Sequence, residues 1–327
     1  MLWLFKLKPD SNVWRLAARL YVFWFQFVNK RTMDGVGEIA PGCDIKKNNA
    51  ANAQKHVTII VPVYNAYEEL KNCIKSVISK TRYPYRLLII DDASSDDRIS
   101  TLLASYSATY SNVCVEYNKK NLGYTATINK GCGLAGVDDV VLLNSDTQVT
   151  EGWLKKLSEC ARSNPRTATV TPLSNAAGVF SVPVKNSINE IPGYLSVDEM
   201  GEMVERLSLR LRPRVPTGNG YCMYVTRSAL DIVGNFDETN FSKGYGEEND
   251  FCMRAGKRGF LHFIEDSTYI YHKRAASFKE TKKDIIMQSM KTLTRMHPEY
   301  KYLVLKWIIS DPLDEFRKIL KKSMNKR

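Results

Sequence analysis

The run Leu87-Leu88-Ile89-Ile90, followed at once by Asp91 and Asp92, constrains this chain more than any other feature. Four consecutive apolar residues with no polar alternation describe a strand buried on both faces, and such strands belong to parallel sheets covered by helices on either side. The flanking sequence agrees. Short apolar runs mark strands at Val57 to Val63, Arg86 to Ile90, Val113 to Tyr117, Val140 to Leu143, Ala168 to Thr171, Gly220 to Thr226 and Leu261 to Ile264. Between the first two, Leu70, Cys73, Ile74, Val77 and Ile78 recur at the spacing of one helix face. Strand and helix alternating in this way predict an α/β domain. With 44% hydrophobic and 25% charged residues over 327 positions, disorder and collagen-like repetition are excluded.

An open parallel sheet binds ligands beyond the carboxyl ends of its strands, so the residues just after each run are where chemistry belongs. Tyr64 and Asn65 follow the first run, Asp91 to Asp96 the second, and Asn144-Ser145-Asp146 the fourth. A single acid after a strand can be a helix N-cap, but three polar strand ends converging predict a site. Gly131-Cys132-Gly133-Leu134-Ala135-Gly136 spells G-x-G-x-x-G, yet it follows a helical pattern and precedes a strand, the reverse of the dinucleotide fingerprint. It reads as a helix C-terminus and turn. The seven cysteines are scattered singly with no C-x-x-C, which predicts reduced core thiols and no zinc site.

Five segments, in this order, resemble the successive motifs of family-2 glycosyltransferases with the GT-A fold, the rhamnosyltransferase-like enzymes of bacterial polysaccharide assembly among them. They are VTIIVPVYNAYEEL at 57–70, LLIIDDASSDD at 87–97, NLGYTATINKG at 121–131, LLNSDTQVTEGWL at 142–154 and GYGEENDFCMR at 244–254. The resemblance implies a Rossmann-like, mostly parallel central sheet flanked by helices. It implies a catalytic domain over 57–278, with a nucleotide-binding half at 57–150 and an acceptor and catalytic half at 151–278, between extensions at 1–56 and 279–327. The implied reaction is inverting transfer of a sugar from a nucleotide diphosphate, UDP or dTDP, to the hydroxyl of a glycan or lipid-linked acceptor, assisted by Mn²⁺ or Mg²⁺.

The chemistry of the residues fits that role. A departing nucleoside diphosphate needs charge stabilisation, which a carboxylate-held divalent cation supplies as a Lewis acid. By position in the motifs, Asp146 and His272 are the implied metal ligands; an imidazole suits Mn²⁺ better than Mg²⁺. Read from its neighbours alone, His272 is equally a structural histidine at a strand end. Asn144 departs from the family's D-x-D and contributes no charge. Glu248 matches the general base that takes the acceptor's proton, with Glu247 and Asp250 beside it and Arg254 one turn after Asp250. The nucleotide sugar falls to Pro62, Tyr64, Asn65, Asp91, Asp92, Asn121, Gly123, Asn144 and Ser145; which of Asp91 and Asp92 meets the base stays open. Gly218, Asn219, Glu247 and Asp250 match the acceptor side, with Phe236 and Phe241 as candidate ring faces for a sugar. Arg210, Arg212 and Arg214 either meet phosphates or end a solvated helix.

The formal net charge of +12 is unevenly placed. Residues 1–56 hold nine basic and four acidic groups, residues 57–278 twenty-five of each, and residues 279–327 thirteen basic and six acidic. Near the N-terminus, Arg15, Arg19 and Gln26 form a narrow polar stripe on an otherwise apolar helix rich in Trp and Phe. That pattern suits a helix lying in a membrane interface, or one docked on the protein's own core or another subunit. No apolar run reaches the ~20 residues that span a bilayer. Asn29-Lys30-Arg31 stand where a signal-peptide cleavage site needs small residues. Tyr302, Leu303, Leu305, Trp307, Ile308, Ile309 and Phe316 repeat the aromatic and basic pattern in the C-terminal flank. Together these features predict a cytoplasmic protein attached peripherally to the inner, anionic face of the cell membrane. No nucleic-acid-binding motif is present. A non-catalytic nucleotide-sugar or glycan-binding module is the competing reading, and the joint presence of Asp146, Glu248 and His272 argues against it.

Overall fold

The side chains of the central run divide between two cores. Ile59, Val61, Leu87 and Ile89 face one side of the sheet, while Ile60, Leu88 and Ile90 face the other, all with 2% exposure or less. Each such side chain contributes about 1.5–3 kcal/mol over an exposed one. The computed structural model describes residues 12–28, 56–274 and 279–325. Its strands are β1 (Val57–Val63), β2 (Tyr85–Asp91), β3 (Val113–Tyr117), β4 (Asp139–Leu143), β5 (Thr147–Val149), β6 (Thr167–Ser174), β7 (Cys222–Val225) and β8 (Leu261–His272). They form one sheet in the order β3-β2-β1-β4-β7-β6-β8-β5.

Helices α2 (Tyr67–Lys80), α3 (Asp97–Thr109), α5 (Trp153–Arg162) and α6 (Val197–Leu207) cover the first face, and α4 (Tyr124–Leu134), α7 (Arg227–Val233) and α8 (Glu247–Gly256) the second. The helix expected between the first two strands buries Leu70, Cys73, Ile74 and Val77, as its spacing requires. Five of the cysteines are buried and Cys114 is exposed; all six are free thiols. Cys43, the Asn29-Lys30-Arg31 segment, the 278 boundary and the side chains of Gln26 and Phe27 lie outside the described residues.

Three expectations are corrected. β6 and β8 run past Thr171 and Ile264: β6 continues through Pro172, Leu173 and Ser174, and β8 through four residues that are polar and buried, a combination that an apolar-run reading does not detect. Glu265, Asp266, Ser267 and Thr268 are at most 1% exposed. The loop after α6 answers the two acids: Asp266 accepts from Ser208 Oγ (2.7 Å) and the Arg212 N–H (2.9 Å), and Arg212 Nε sits 2.8 Å from Glu265. Arg212 is thus held by Glu265, and Arg210 faces Glu205 at 3.8 Å, so neither matches a phosphate-binding cluster. Phe236 and Phe241 are core residues at 2% and 1% exposure, Phe236 stacked on Phe251, and present no ring to a sugar.

The third correction concerns the C-terminal flank. Its helices α9 (Lys279–Met296), α10 (Tyr300–Ser310) and α11 (Asp314–Met324) pack on the domain and bury Tyr302, Leu305, Trp307 and Phe316. The N-terminal helix α1 (Asn12–Val28) docks on α10 through Trp14, Ala18 and Leu305, with Phe25 stacked on Tyr302 at 5.0 Å.

The G-x-G-x-x-G segment ends α4, and its glycines serve different ends. A Cβ on Gly131 would lie 2.6 Å from Ile60 Cγ2 and 3.1 Å from Ile90 Cδ1, whereas one on Gly133 meets nothing within 4 Å. Gly131→Ala therefore costs about 1–3 kcal/mol by overpacking. Gly133→Ala stabilises by about 0.5–1 kcal/mol by removing a helix glycine. Urea unfolding of the two variants checks this opposition.

Candidate active site

Only β5 and β7 run against the other strands, so the carboxyl ends of β1, β2, β4, β6 and β8 open on one sheet edge with the start of β7. On the β1 and β2 side the polar residues bind one another. Asn65, in the left-handed region at φ 59° that Asn tolerates, accepts at Oδ1 from the N–H groups of Ser95 (2.9 Å) and Asp96 (3.1 Å). Its own N–H donates to Ser94 Oγ (2.8 Å). Pro62 is half-buried and Tyr64 exposed beside it.

The two acids after β2 have different surroundings. Asp92 accepts at Oδ1 from Asn118 Nδ2 and the Leu122 N–H, both 2.8 Å, and at Oδ2 from the Gly123 N–H at 2.9 Å. It shapes the loop that leads into α4. Asn121 Oδ1 also accepts from Gly123, where φ is 85° and a Cβ would lie 2.6 Å from the Ser242 carbonyl oxygen, so no side chain fits. Asp91 takes both its bonds, from the Ser94 N–H and Oγ, on Oδ1.

Asn144, Ser145 and Asp146 form the half-buried turn between β4 and β5, fixed by the Asn144 N–H on the Tyr221 carbonyl (2.9 Å). β5 pairs with the end of β8, Thr147 opposite His272, and this antiparallel register carries Asp146 to the imidazole. His272 Nε2 lies 3.3 Å from Asp146 Oδ1, and Nδ1 lies 3.1 Å from the Ala176 carbonyl. A carbonyl only accepts, so Nδ1 carries a proton and Nε2 is the ring nitrogen turned toward the Asp146 carboxylate. Asn175 clamps the His272 backbone on both sides, accepting its N–H (2.8 Å) and donating to its carbonyl (3.0 Å), while Tyr221 stacks on the ring. Two lone-pair donors held face to face fit a divalent cation. Among the described residues no group of three or more His, Cys, Asp or Glu side chains converges, so the remaining ligands would come from substrate and water.

The acidic motif opens α8. Glu247 Oε2 accepts from the Gly246 N–H, and burial followed by the adjoining Glu248 charge raises its carboxyl well above the usual range. Burial raises Glu248 as well, and its Oε2, shut off from solvent, has no hydrogen-bond partner. Asp250 is fully buried and committed: Arg254 Nε donates to Oδ2 (2.7 Å) and His297 Nε2 to Oδ1 (2.8 Å). Burial would raise Asp250, but these two donors outweigh it and hold the carboxyl below the ordinary range. A cavity of about 260 Å³ lies against Glu248; Gly218, Asn219 and Asn249 line it, with Tyr300, Val304 and Trp307 of α10 as a wall. Glu247 and Asp250 do not line it. Tyr124, on α4, reaches the segment that leads into β7. Its hydroxyl reaches the Gly220 carbonyl at 3.2 Å, and burial, then Glu247 and Glu248, raise it, with Asp146 adding to the effect.

Residues 58–231 match the model of glycosyl transferase family 2. The chain belongs to that family. This glycosyltransferase is 27% identical over 241 residues to the N-acetylglucosaminyl-diphospho-decaprenol L-rhamnosyltransferase of Mycobacterium tuberculosis, covering 67% of this chain and 76% of that protein. It is 21% identical over 240 residues to glycosyltransferase GlyG of Streptococcus pneumoniae, covering 70% and 74%. Its fold is similar to that of the mannosyltransferase PcManGT from Pyrobaculum calidifontis, solved with GDP-Man and Mn²⁺. That match has a TM-score of 0.57 at 13% identity and covers 94% of this chain and 85% of the other. GalNAc-T7, solved with UDP, GalNAc and Mn²⁺, matches with a TM-score of 0.55 at 16% identity over 82% of this chain and 55% of its own. The fold is the GT-A fold.

Asn175, Tyr124, His297 and Trp307 were not legible in the sequence. Asn175 follows β6 as Asn144 follows β4, so the rule of reading past strand ends would have found it had β6 been seen to continue through Pro172, Leu173 and Ser174. His297 follows no local pattern; tertiary packing alone brings it to Asp250. His297→Ala leaves the buried Asp250 carboxylate short of a donor and costs about 1–3 kcal/mol in urea unfolding at neutral pH. Because the donors lower Asp250, the loss relative to wild type is full above the ordinary aspartate range and shrinks as pH falls through the lowered value.

Proposed function

We propose that the chain is an inverting glycosyltransferase that moves a sugar from a nucleoside diphosphate, UDP or dTDP, to the hydroxyl of a glycan or lipid-linked acceptor, with Glu248 as general base. The observation that carries this reading is Glu248 itself: a buried carboxylate oxygen without a partner at the edge of a cavity on the acceptor side of the site. Such an atom costs free energy unless a ligand completes it, and an acceptor hydroxyl is a donor of the right kind.

The acceptor O–H proton passes to Glu248 while its oxygen attacks the anomeric carbon. The bond from that carbon to the phosphate oxygen breaks on the opposite face, and the nucleoside diphosphate leaves with the electron pair. Asp146 and His272 would hold a divalent cation, Mn²⁺ or Mg²⁺, which supplies charge stabilisation to the leaving diphosphate. Two neighbours of the same fold were solved with Mn²⁺. Asp91 is the stronger candidate for the base of the nucleotide, since Asp92 is spent on the loop, and Tyr64, Asn65, Asn121, Gly123, Asn144 and Ser145 frame the same edge. Raised by burial, Glu248 is a better proton acceptor near neutral pH than an ordinary glutamate.

A lipid-linked acceptor is supported by the similarity to a rhamnosyltransferase whose name specifies a decaprenol-linked one. No helix among the described residues is long and apolar enough to cross a membrane. The basic flanks support peripheral attachment to an anionic surface on the cytoplasmic side.

Asp146→Ala is expected to abolish metal-dependent turnover with the fold intact by circular dichroism; undiminished transfer overturns the metal pair. Glu248→Gln is expected to keep nucleotide binding and lose roughly 10²–10⁴ in rate. In wild type, kcat/KM falls as pH drops through the raised Glu248 value, so the acid limb of the profile lies above the ordinary glutamate range of about 4.3. A limb at or below that range removes Glu248 as the titrating base.

A further inference from the structure

We propose that the outward face of α1 docks on an anionic bilayer and holds the acceptor cavity, through α10, at the lipid surface. The helix has two apolar faces. Trp14, Ala18 and Phe25 pack inward on Leu305 and Tyr302 of α10. On the other side Leu16, Leu20, Phe23 and Trp24 are 61%, 60%, 71% and 48% exposed. Their spacing makes one continuous strip, far more apolar surface than a solvated helix face carries.

Charge selects the occupant. Arg15 and Arg19 are exposed beside the strip, and α1 contains no acidic residue in its 17 positions. Two copies of α1 meeting through this strip would bring arginines together with no acid on either helix to answer them. Anionic headgroups answer them directly, each cation near such a surface being worth about a factor of five in partitioning. An aromatic and aliphatic strip flanked by arginines is the composition of a helix lying in the headgroup region, with Trp24 at the depth its indole prefers.

Docking there has a consequence for the site. α10 meets α1 through Tyr302 and Leu305 and faces the cavity at Glu248 through Tyr300, Val304 and Trp307. Trp307 Nε1 donates to the Arg214 carbonyl at 2.6 Å and pins α10 to the catalytic domain. One helix therefore joins the lipid-facing element to the wall of the acceptor cavity. That consequence rests on the transferase reading; the docking itself does not.

The test is co-sedimentation of the full chain with vesicles of phosphatidylcholine and phosphatidylglycerol in equal parts, against phosphatidylcholine alone. Wild type is expected to pellet with the anionic vesicles, less so at high salt, with a blue shift of fluorescence that Trp24→Phe removes. Leu20→Glu with Phe23→Glu is expected to lower partitioning by about tenfold or more, while the thermal midpoint and hydrolysis of the donor sugar stay at wild-type values. Arg15→Glu with Arg19→Glu is expected to lose the preference for phosphatidylglycerol. Unchanged pelleting of the Leu20 and Phe23 double variant overturns the proposal. So does absence of wild-type binding, or a wild-type dimer in sedimentation equilibrium that the same variant dissociates. Loss of glycosyl transfer with intact vesicle binding would count against the transferase reading and leave the docking surface standing.

Discussion

Burial of the central strands on both faces is the constraint on which the rest depends. With Ile59, Ile60, Leu87, Leu88, Ile89 and Ile90 all withdrawn from water, no functional group fits along the strands, and polar chemistry is displaced to their ends. Helices then have to cover both faces, and the connections that lead to them leave from the same edge. The site is the edge that remains. Its contents follow from which strand ends arrive there: amide and hydroxyl from β1, carboxylates from β2, the Asn144 to Asp146 turn from β4, Asn175 from β6 and His272 from β8.

Within that edge the carboxylates are told apart by what answers them. Asp92 is filled by a side-chain amide and two backbone N–H groups, Asp250 by Arg254 and His297, and Glu265 faces Arg212. These are charges that hold the structure together. Asp146 meets the His272 imidazole across the β5 and β8 register, and Glu248 keeps a buried oxygen with nothing to accept. In a low-dielectric setting a buried acid oxygen without a donor is costly, and at Glu248 it stands against the cavity.

The C-terminal helices change the meaning of the chain's basic flanks. Read as sequence, their aromatics and lysines suggested a surface turned to lipid. In the structure Tyr302, Trp307 and Phe316 are buried, His297 and Tyr300 reach Asp250 and Asn249 on α8, and α10 walls the cavity. The exposed apolar surface is carried instead by the N-terminal helix, which rests on α10.

The sequence by itself determined the α/β class, the core positions of the central strands and the first helix, and the placement of the polar strand ends. Apolar runs and helical spacing are local signals, and burial on both faces admits few solutions. It also identified the motif residues, since their types and order are written in the chain. What only the tertiary structure decided were the relations between distant segments. These include the antiparallel β5 and β8 register that sets Asp146 against His272, and the division of labour between Asp91 and Asp92. They include the polar continuation of β8, whose Asp266 is answered by a loop some fifty residues away in sequence. They include as well which face of α1 packs and which is left open. A helix with apolar residues on nearly every side carries no local mark of that choice; it is made by Leu305 and Tyr302 on a helix from the opposite end of the chain.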